Sequence, residues 1–339
     1  NKHNLLIKDI LAHQSKLQPW IPFYKKTLAK DSALNTLKLR DTLYSKFRSL
    51  EFPIEEADSV FLHYSYPDSI MQQIIDSDLL EKSEYIYSDL GFYLMKPIIE
   101  NITNTSLEEF TRKSFYDKLG MENLGYLPRK RLAFDRIIPT ENDFVFRGQL
   151  LKGYVHDMGA AMLGGVAGHA GLFSNANDLA KLMSMYLNHG EYAEEKFLSK
   201  NVINRFTSCQ FCTLDNRRGA GFDKPALSHQ EGGPTCKCVS DLSFGHSGFT
   251  GTLSWVDPET KIIYIFLSNR IHPDASNKKL LDLNVRTNIM ELIFKYNDLI
   301  NSSDSLNNLN FKTDKKIDEK IINIDTFEKI NFNDLTPIY

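Results

Sequence analysis

Phe244-Gly245-His246-Ser247-Gly248-Phe249-Thr250-Gly251-Thr252-Leu253-Ser254-Trp255-Val256-Asp257-Pro258-Glu259-Thr260-Lys261-Ile262-Ile263-Tyr264-Ile265-Phe266-Leu267-Ser268 is the stretch on which the reading of this chain turns. The runs 245–256 and 261–268 are rich in aromatic and β-branched residues, and Asp257-Pro258-Glu259-Thr260 between them has turn chemistry. That pattern predicts two strands joined as an antiparallel hairpin. Downstream, Leu280, Leu281, Leu283, Val285, Ile289, Leu292 and Ile293 mark a helix from Ser276 to about Asn297. From residue 301 the chain is rich in Asn, Asp, Lys and Ser and reads as a polar tail.

Upstream of the hairpin the sequence reads as mostly helical. Leu6, Ile7, Ile10 and Leu11 give an apolar face between Asn4 and His13. Asp68 to Leu80 reads as a short helix, and Tyr87 to Thr103 as a buried one that must accommodate Pro97. Ser106 with Glu109 has the spacing of a capping box and opens a helix to about Tyr116. The glycine-dense stretch Gly164-Gly165-Val166-Ala167-Gly168-His169-Ala170-Gly171 leads through Ser174-Asn175-Ala176-Asn177-Asp178 into an amphipathic run, Leu179 to Tyr186. No Lys-Ser or Lys-Thr follows these glycines, so they are not a P-loop. They fit a tight chain reversal better than a phosphate cradle.

The 339 residues are 42% hydrophobic and 24% charged, a soluble globular composition able to bury one large domain or two lobes around a cleft. A net charge of −3 gives no basic field for nucleic acid or an anionic membrane. The apolar runs are strand-sized and too short to span a bilayer. Four cysteines fall in two close pairs, Cys209 with Cys212 and Cys236 with Cys238. Free thiols, two disulfides and a four-thiolate metal site all remain open on spacing alone.

Three short patterns could carry chemistry: Tyr87-Ser88-Asp89, His246-Ser247-Gly248, and the glycine loop ending in Gly171-Leu172-Phe173-Ser174. Each alone is ordinary. In this order they resemble the family of class C β-lactamases, DD-peptidases and related esterases. That family carries S-x-x-K, then Y-x-N, then K-x-G or H-x-G on a sheet-edge strand. Tyr87-Ser88-Asp89-Leu90-Gly91-Phe92-Tyr93 is close to its Y-S-N-x-G-Y wording, and Lys118-Leu119-Gly120-Met121 is similar to its P-L-G-M turn. Residues 7–15 are similar to its segment between the first two motifs. Residues 165–179 and 244–270 match closely, and the resemblance runs from about residue 4 to about 297. The wording of residues 164–174 and 244–252 is also similar to a subgroup in which this domain follows a family 3 glycoside hydrolase domain. That subgroup implies a bacterial envelope enzyme, periplasmic or otherwise in the cell envelope.

The resemblance implies acyl transfer through an acyl-serine, on a β-lactam, a D-Ala-D-Ala peptide or an ester, with no cofactor and no metal. It assigns Tyr87 as the proton shuttle and His246 to the position often held by lysine. Ser247 and Gly248 would lie along the substrate, Gly248 letting the strand pass close and the Phe249 N–H serving as an oxyanion donor. Asp89 stands where asparagine is usual, and an ionised carboxylate cannot donate as an amide does. The nucleophile of S-x-x-K is expected upstream of the helix near Asn4, before Asn1. Ser276-Asn277-Lys278-Lys279 has the spacing but is explained by capping of the last helix. Thr27 to Lys30 and Thr313 to Lys316 match only with threonine. The chain is therefore expected to be an N-terminally truncated fragment, inactive as written.

The implied fold is α/β of the α+β kind: an antiparallel sheet flanked by helices beside a mostly helical lobe, the sheet incomplete at the N-terminus. Residues 1–300 form the hydrolase-like domain, with the helical lobe at 15–240, the sheet lobe at 241–300 and the tail at 301–339. Expected partners are a small molecule or peptidoglycan peptide, with an upstream glycoside hydrolase domain in the parent chain. The competing reading is a non-catalytic module that binds peptidoglycan or a partner, and a cysteine-ligated metal protein is a third.

Overall fold

The computed structural model describes residues 2–31, 36–230 and 232–307. Its elements mix helices with strands that pair only antiparallel among the described residues. Contacts divide the chain into a compact unit Asn1–Met290 and a second unit from Glu291.

The first unit opens with α1 (Ile7–Leu11) and then, where helix was expected, with strands. β1 (Leu28–Asp31) pairs with β2 (Thr36–Leu39), and β3 (Tyr44–Ser45), β4 (Ile54–Ala57) and β5 (Val60–Leu62) form a sheet of order β3-β5-β4. The short, partly polar strands 36–39 and 54–57 show no helical period, and sheet pairing prevails there over propensity. The region 15–240 is therefore less helical than the sequence suggested. α2 (Tyr66–Asp76) follows, burying Tyr66, Ile70 and Ile74, one residue per turn of a single face.

α3 (Leu90–Thr103) keeps Pro97 in its interior. Its first turn lies against α1 so closely that a Cβ on Gly91 would sit 2.4 Å from Ile10 Cγ2, so only glycine fits. α4 (Leu107–Thr111) is capped as its sequence predicts: Glu109 N donates to the Ser106 hydroxyl at 3.2 Å. It continues as a wider turn through Tyr116. β6 (Pro139–Asp143) and β7 (Gln149–Lys152) make a hairpin before α5 (Met158–Met162). α6 (Ala176–Leu187) is capped by Asn175, whose side chain accepts from Asp178 N at 2.8 Å, as the run 174–178 implies. β8 (Glu191–Tyr192) and β9 (Glu195–Lys196) pair before α7 (Lys200–Thr207). The main core gathers Phe23, Leu62, Ile70, Ile74, Leu90, Tyr93, Leu151 and Met162.

The decisive stretch folds as three strands, a refinement of the expected two. β10 (Phe244–Ser247) pairs with β11 (Leu253–Asp257), which pairs with β12 (Ile262–Phe266). The run 245–256 breaks because Gly251 (φ +103°) turns the chain, with Gly248 N donating to Thr252 O at 2.8 Å. The second turn, at 257–261, is the predicted one. Asp223 extends the edge of β10, exchanging both backbone hydrogen bonds with Gly245. After the sheet come α8 (Lys279–Asp282) and α9 (Val285–Asn307) instead of one helix from Ser276. Asn284, at φ +49°, interrupts them.

The described part of the second unit is the remainder of α9 to Asn307, where Lys295 and Glu291 pair at 2.7 Å. The expected tail at 301–339 is thus helical through Asn307, and its residues 308–339 lie outside the described ones. No described helix is long and apolar enough to cross a membrane.

Candidate active site

Tyr87-Ser88-Asp89 is held in front of α3 by the segment 13–19. Ser88 N donates to His13 Nδ1 at 3.1 Å, the Ser88 hydroxyl donates to Gln18 O at 2.7 Å, and Asp89 N donates to Pro19 O at 3.3 Å. These bonds bury Ser88 and turn Tyr87 outward, 43% exposed. The Tyr87 ring stacks on buried His13 at 4.3 Å between centroids and lies 6.2 Å from the His246 ring. Its phenol is pushed up to about 12, by burial first and by the Asp89 charge, with Arg218 opposing. His13 itself is brought down to about 3 by burial and by the Arg218 and His246 charges.

His246 sits on β10 opposite Ser254. Its Nδ1 lies 2.7 Å from Ser247 O and its Nε2 lies 2.8 Å from Arg218 Nη1. Burial and the Arg218 charge lower its basicity. Arg218 was not singled out in the sequence, yet it is the cation of this group. Its Nε and Nη2 donate to the Tyr85 hydroxyl at 3.2 and 2.9 Å, and its guanidinium carbon lies 5.3 Å from the Tyr87 ring centroid. The loop that delivers it is tied at several points. Gln210 N donates to Arg218 O, and fully buried Asn216 reaches Ala12 O and the Gln14 side chain at 2.8 Å each. Arg217 grips Asp223 through two nitrogens at 2.8 and 3.1 Å. The available signal was the adjacent pair Arg217-Arg218 in the loop that follows α7.

Asp89 faces a different set. Its carboxyl is raised by burial and by the Asp157 charge, with His169 opposing. The glycine loop brings His169 onto the α3 ring of Tyr93, stacked at 4.0 Å, with Nε2 2.9 Å from Asp157 Oδ1. Burial alone would raise Asp157, but the bond and charge of His169 and the Ala160 N–H outweigh it, bringing the carboxyl down to about 2. His156, next in the chain, lies flat against Phe249 at 5.2 Å, and Arg270 covers the same ring at 4.7 Å. Buried Arg147 holds the His156 carbonyl at 2.7 Å and the Val155 carbonyl at 2.8 Å while pairing with Asp143 at 2.6 Å.

The sequence-derived residues thus fall into two neighbouring sets. The rings of Tyr87 and His246 lie 6.2 Å apart between centroids, and Asp89 acts on Tyr87 through charge. Phe249 is 62% exposed and packs with His156 and Arg270. Ser247 is half-buried and gives its carbonyl to His246, while Gly248 forms the turn; a Cβ there would meet Thr252 Oγ1 at 2.3 Å.

One question left open by the sequence is closed, and one expectation is corrected. The four cysteines form two disulfides, Cys209–Cys212 and Cys236–Cys238, so they are not a four-thiolate metal site. No group of three or more His, Cys, Asp or Glu among the described residues could hold a metal. Ser276 caps no helix: α8 begins at Lys279, and exposed Ser276 instead donates its N–H to Asp274 in a turn. Thr27, of the second spacing match, is fully buried with its hydroxyl on Tyr24 O, and Thr313 lies outside the described residues.

Residues 1–287 match the family model described as Beta-lactamase. The chain is 33% identical over 233 residues to a Salmonella gallinarum protein named as a provisional D-alanyl-D-alanine carboxypeptidase, covering 64% of this chain and 53% of that one. A Salmonella typhi protein of the same name is 33% identical over 211 residues, 58% of this chain and 48% of that one. The chain therefore spans about half the length of the curated relatives it matches. Among solved structures, a penicillin binding protein from Bacillus halodurans aligns with a TM-score of 0.47 at 15% identity, over 79% of this chain and 69% of that one.

Proposed function

The chain belongs to the beta-lactamase family, and on that premise we propose that it carries the tyrosine–histidine side of an acyl-transfer site working through an acyl-serine on a β-lactam, a D-Ala-D-Ala peptide or an ester. The observation that carries this reading is the meeting of Tyr87, His246 and Arg218: a phenol, an imidazole and a guanidinium within one contact shell. Burial and the Asp89 charge hold the phenol at about 12 even with Arg218 over its ring, so in this reading Tyr87 serves as a base near neutral pH only with the further positive charge of the S-x-x-K lysine. In this reading Tyr87 moves the proton between nucleophile and leaving group, Asp89 and Ser247 border the acyl donor, and the turn at Gly248 offers the Phe249 N–H to the oxyanion. The serine–lysine pair comes from sequence outside these 339 residues. The hydrolase domain takes in residues 1–300, with 241–300 supplying the sheet, and it works in the cell envelope, the periplasm by preference. A glycoside hydrolase domain upstream is part of the same reading, supported by the wording of residues 164–174 and 244–252.

The test is the intact mass of the full-length protein after exposure to a penicillin. A gain equal to one ring-opened penicillin, lost or slowed at least tenfold in Tyr87→Phe, is the expected result. No adduct, together with no turnover of penicillin, a D-Ala-D-Ala peptide or a simple ester, would refute acyl transfer in favour of a non-catalytic peptidoglycan-binding module.

A further inference from the structure

The two ring nitrogens of His246 are each committed to a partner with fixed hydrogen-bonding character. A guanidinium has five N–H donors and no acceptor, so the nitrogen 2.8 Å from Arg218 Nη1 must present a lone pair. A carbonyl only accepts, so the nitrogen 2.7 Å from Ser247 O must carry the hydrogen. Only one form meets both demands: a neutral imidazole protonated at Nδ1 and bare at Nε2. We propose that Arg218 is a positioning residue that locks His246 in this form and supplies, from a separate loop, the positive charge that the strand position would otherwise carry.

The surroundings support the lock. The charged and titratable groups facing His246 are Arg218 and Arg217 from the 209–218 loop, Asp223 on the edge of β10, His13 and Tyr87. The one carboxylate among them, Asp223, accepts from two Arg217 nitrogens and Lys224 N and also lies 3.4 Å from Arg218 Nε. Among the described residues, the one hydrogen-bond partner placed at Nε2 is the guanidinium, which donates. Arg218 cannot easily turn away, since its side chain is 6% exposed and is fastened to the Tyr85 hydroxyl through Nε and Nη2. A histidine held neutral in this way passes the orientation of β10 to the guanidinium, and the guanidinium faces Tyr87. That last step rests on the acyl-transfer reading, whereas the protonation state of His246 does not.

Long-range proton–nitrogen spectra of the chain labelled with nitrogen-15 histidine read the state directly, with the His246 signals identified by their loss in His246→Gln. The expected signature is a bare Nε2 and a protonated Nδ1, unchanged from about pH 5.5 to 8.5. In Arg218→Met the hydrogen should stay on Nδ1, held by Ser247 O, and protonation of the freed Nε2 should appear as a titration inside that range. Arg218→Lys, which keeps a positively charged group that can only donate, should retain the original signature. A wild-type His246 protonated at Nε2, or at both nitrogens near neutral pH, overturns the proposal. So does a folded Arg218→Met with an unchanged signature. Should that variant not fold, the wild-type spectrum and Arg218→Lys decide alone. None of these outcomes depends on whether penicillin is opened.

Discussion

Glu56 lies on β4 at 1% exposure, with Oε1 3.4 Å from the Tyr44 hydroxyl and Oε2 without a hydrogen-bond partner. Burial holds its carboxyl at about 8, against the Arg147 charge and the Tyr44 bond and with help from Asp143. In the unfolded chain the same group returns to its ordinary 4.5. The folded protein therefore keeps a proton that the unfolded chain releases. Because the folded pKa is the higher one, the cost of Glu56 is absent below about pH 4.5 and grows as pH rises, levelling off above about pH 8. At about 1.4 kcal/mol per pH unit, the full effect is on the order of 3–5 kcal/mol. Glu56→Gln keeps the shape and removes the ionisation. Urea unfolding of both proteins at about pH 5, 6.5 and 8.5 gives the comparison, and taking their difference cancels groups such as His156 and Asp157 that titrate in both. The variant should gain on wild type by roughly 3–5 kcal/mol between the lowest and highest pH. A difference constant to within about 0.5 kcal/mol across that range would refute the argument that Glu56 is neutral in the fold.

Arg147→Met leaves the buried Asp143 carboxylate with only its backbone donors and strips the Val155 and His156 carbonyls of their partner. A loss of about 3–5 kcal/mol is expected from the urea midpoint at unchanged slope, and less than about 1 kcal/mol would mean that the pair is dispensable. Gly159→Ala would place a Cβ 1.7 Å from the Tyr93 hydroxyl, so Tyr93 and the His169 stacked on it must shift. The cost should be about 1–3 kcal/mol with a changed near-ultraviolet circular dichroism spectrum; a melting curve superimposable on wild type would contradict it.

What the sequence made legible was local. The caps at Ser106 and Asn175 are satisfied within three residues, so their side chains report the helix starts directly. The turn at 257–261 is legible for the same reason. The strands between 28 and 62 were missed because their pairing, not their own pattern, makes them strands. Tyr87 and His246 could be singled out through the family wording, although 159 positions separate them in numbering. Arg218 could not, since its role depends on Asn216 docking onto Ala12 and Gln14 at the far end of the chain. Likewise, nothing around Arg147 in sequence shows that its charge props up the backbone beneath the Phe249 stack.

The enclosure of Arg218 has a consequence for how this site would answer to ionic strength. Mobile ions weaken interactions between charges that share their solvent, over about 8–10 Å at ordinary salt, and act far less on a charge they cannot approach. With 6% of its side chain exposed and the rings of Tyr85 and Tyr87 alongside, the guanidinium is largely shielded from such ions. Its pull on Tyr87 should persist in brine. Any fall in rate with added salt would then report the encounter of a charged substrate with the outer surface, leaving the chemical step untouched.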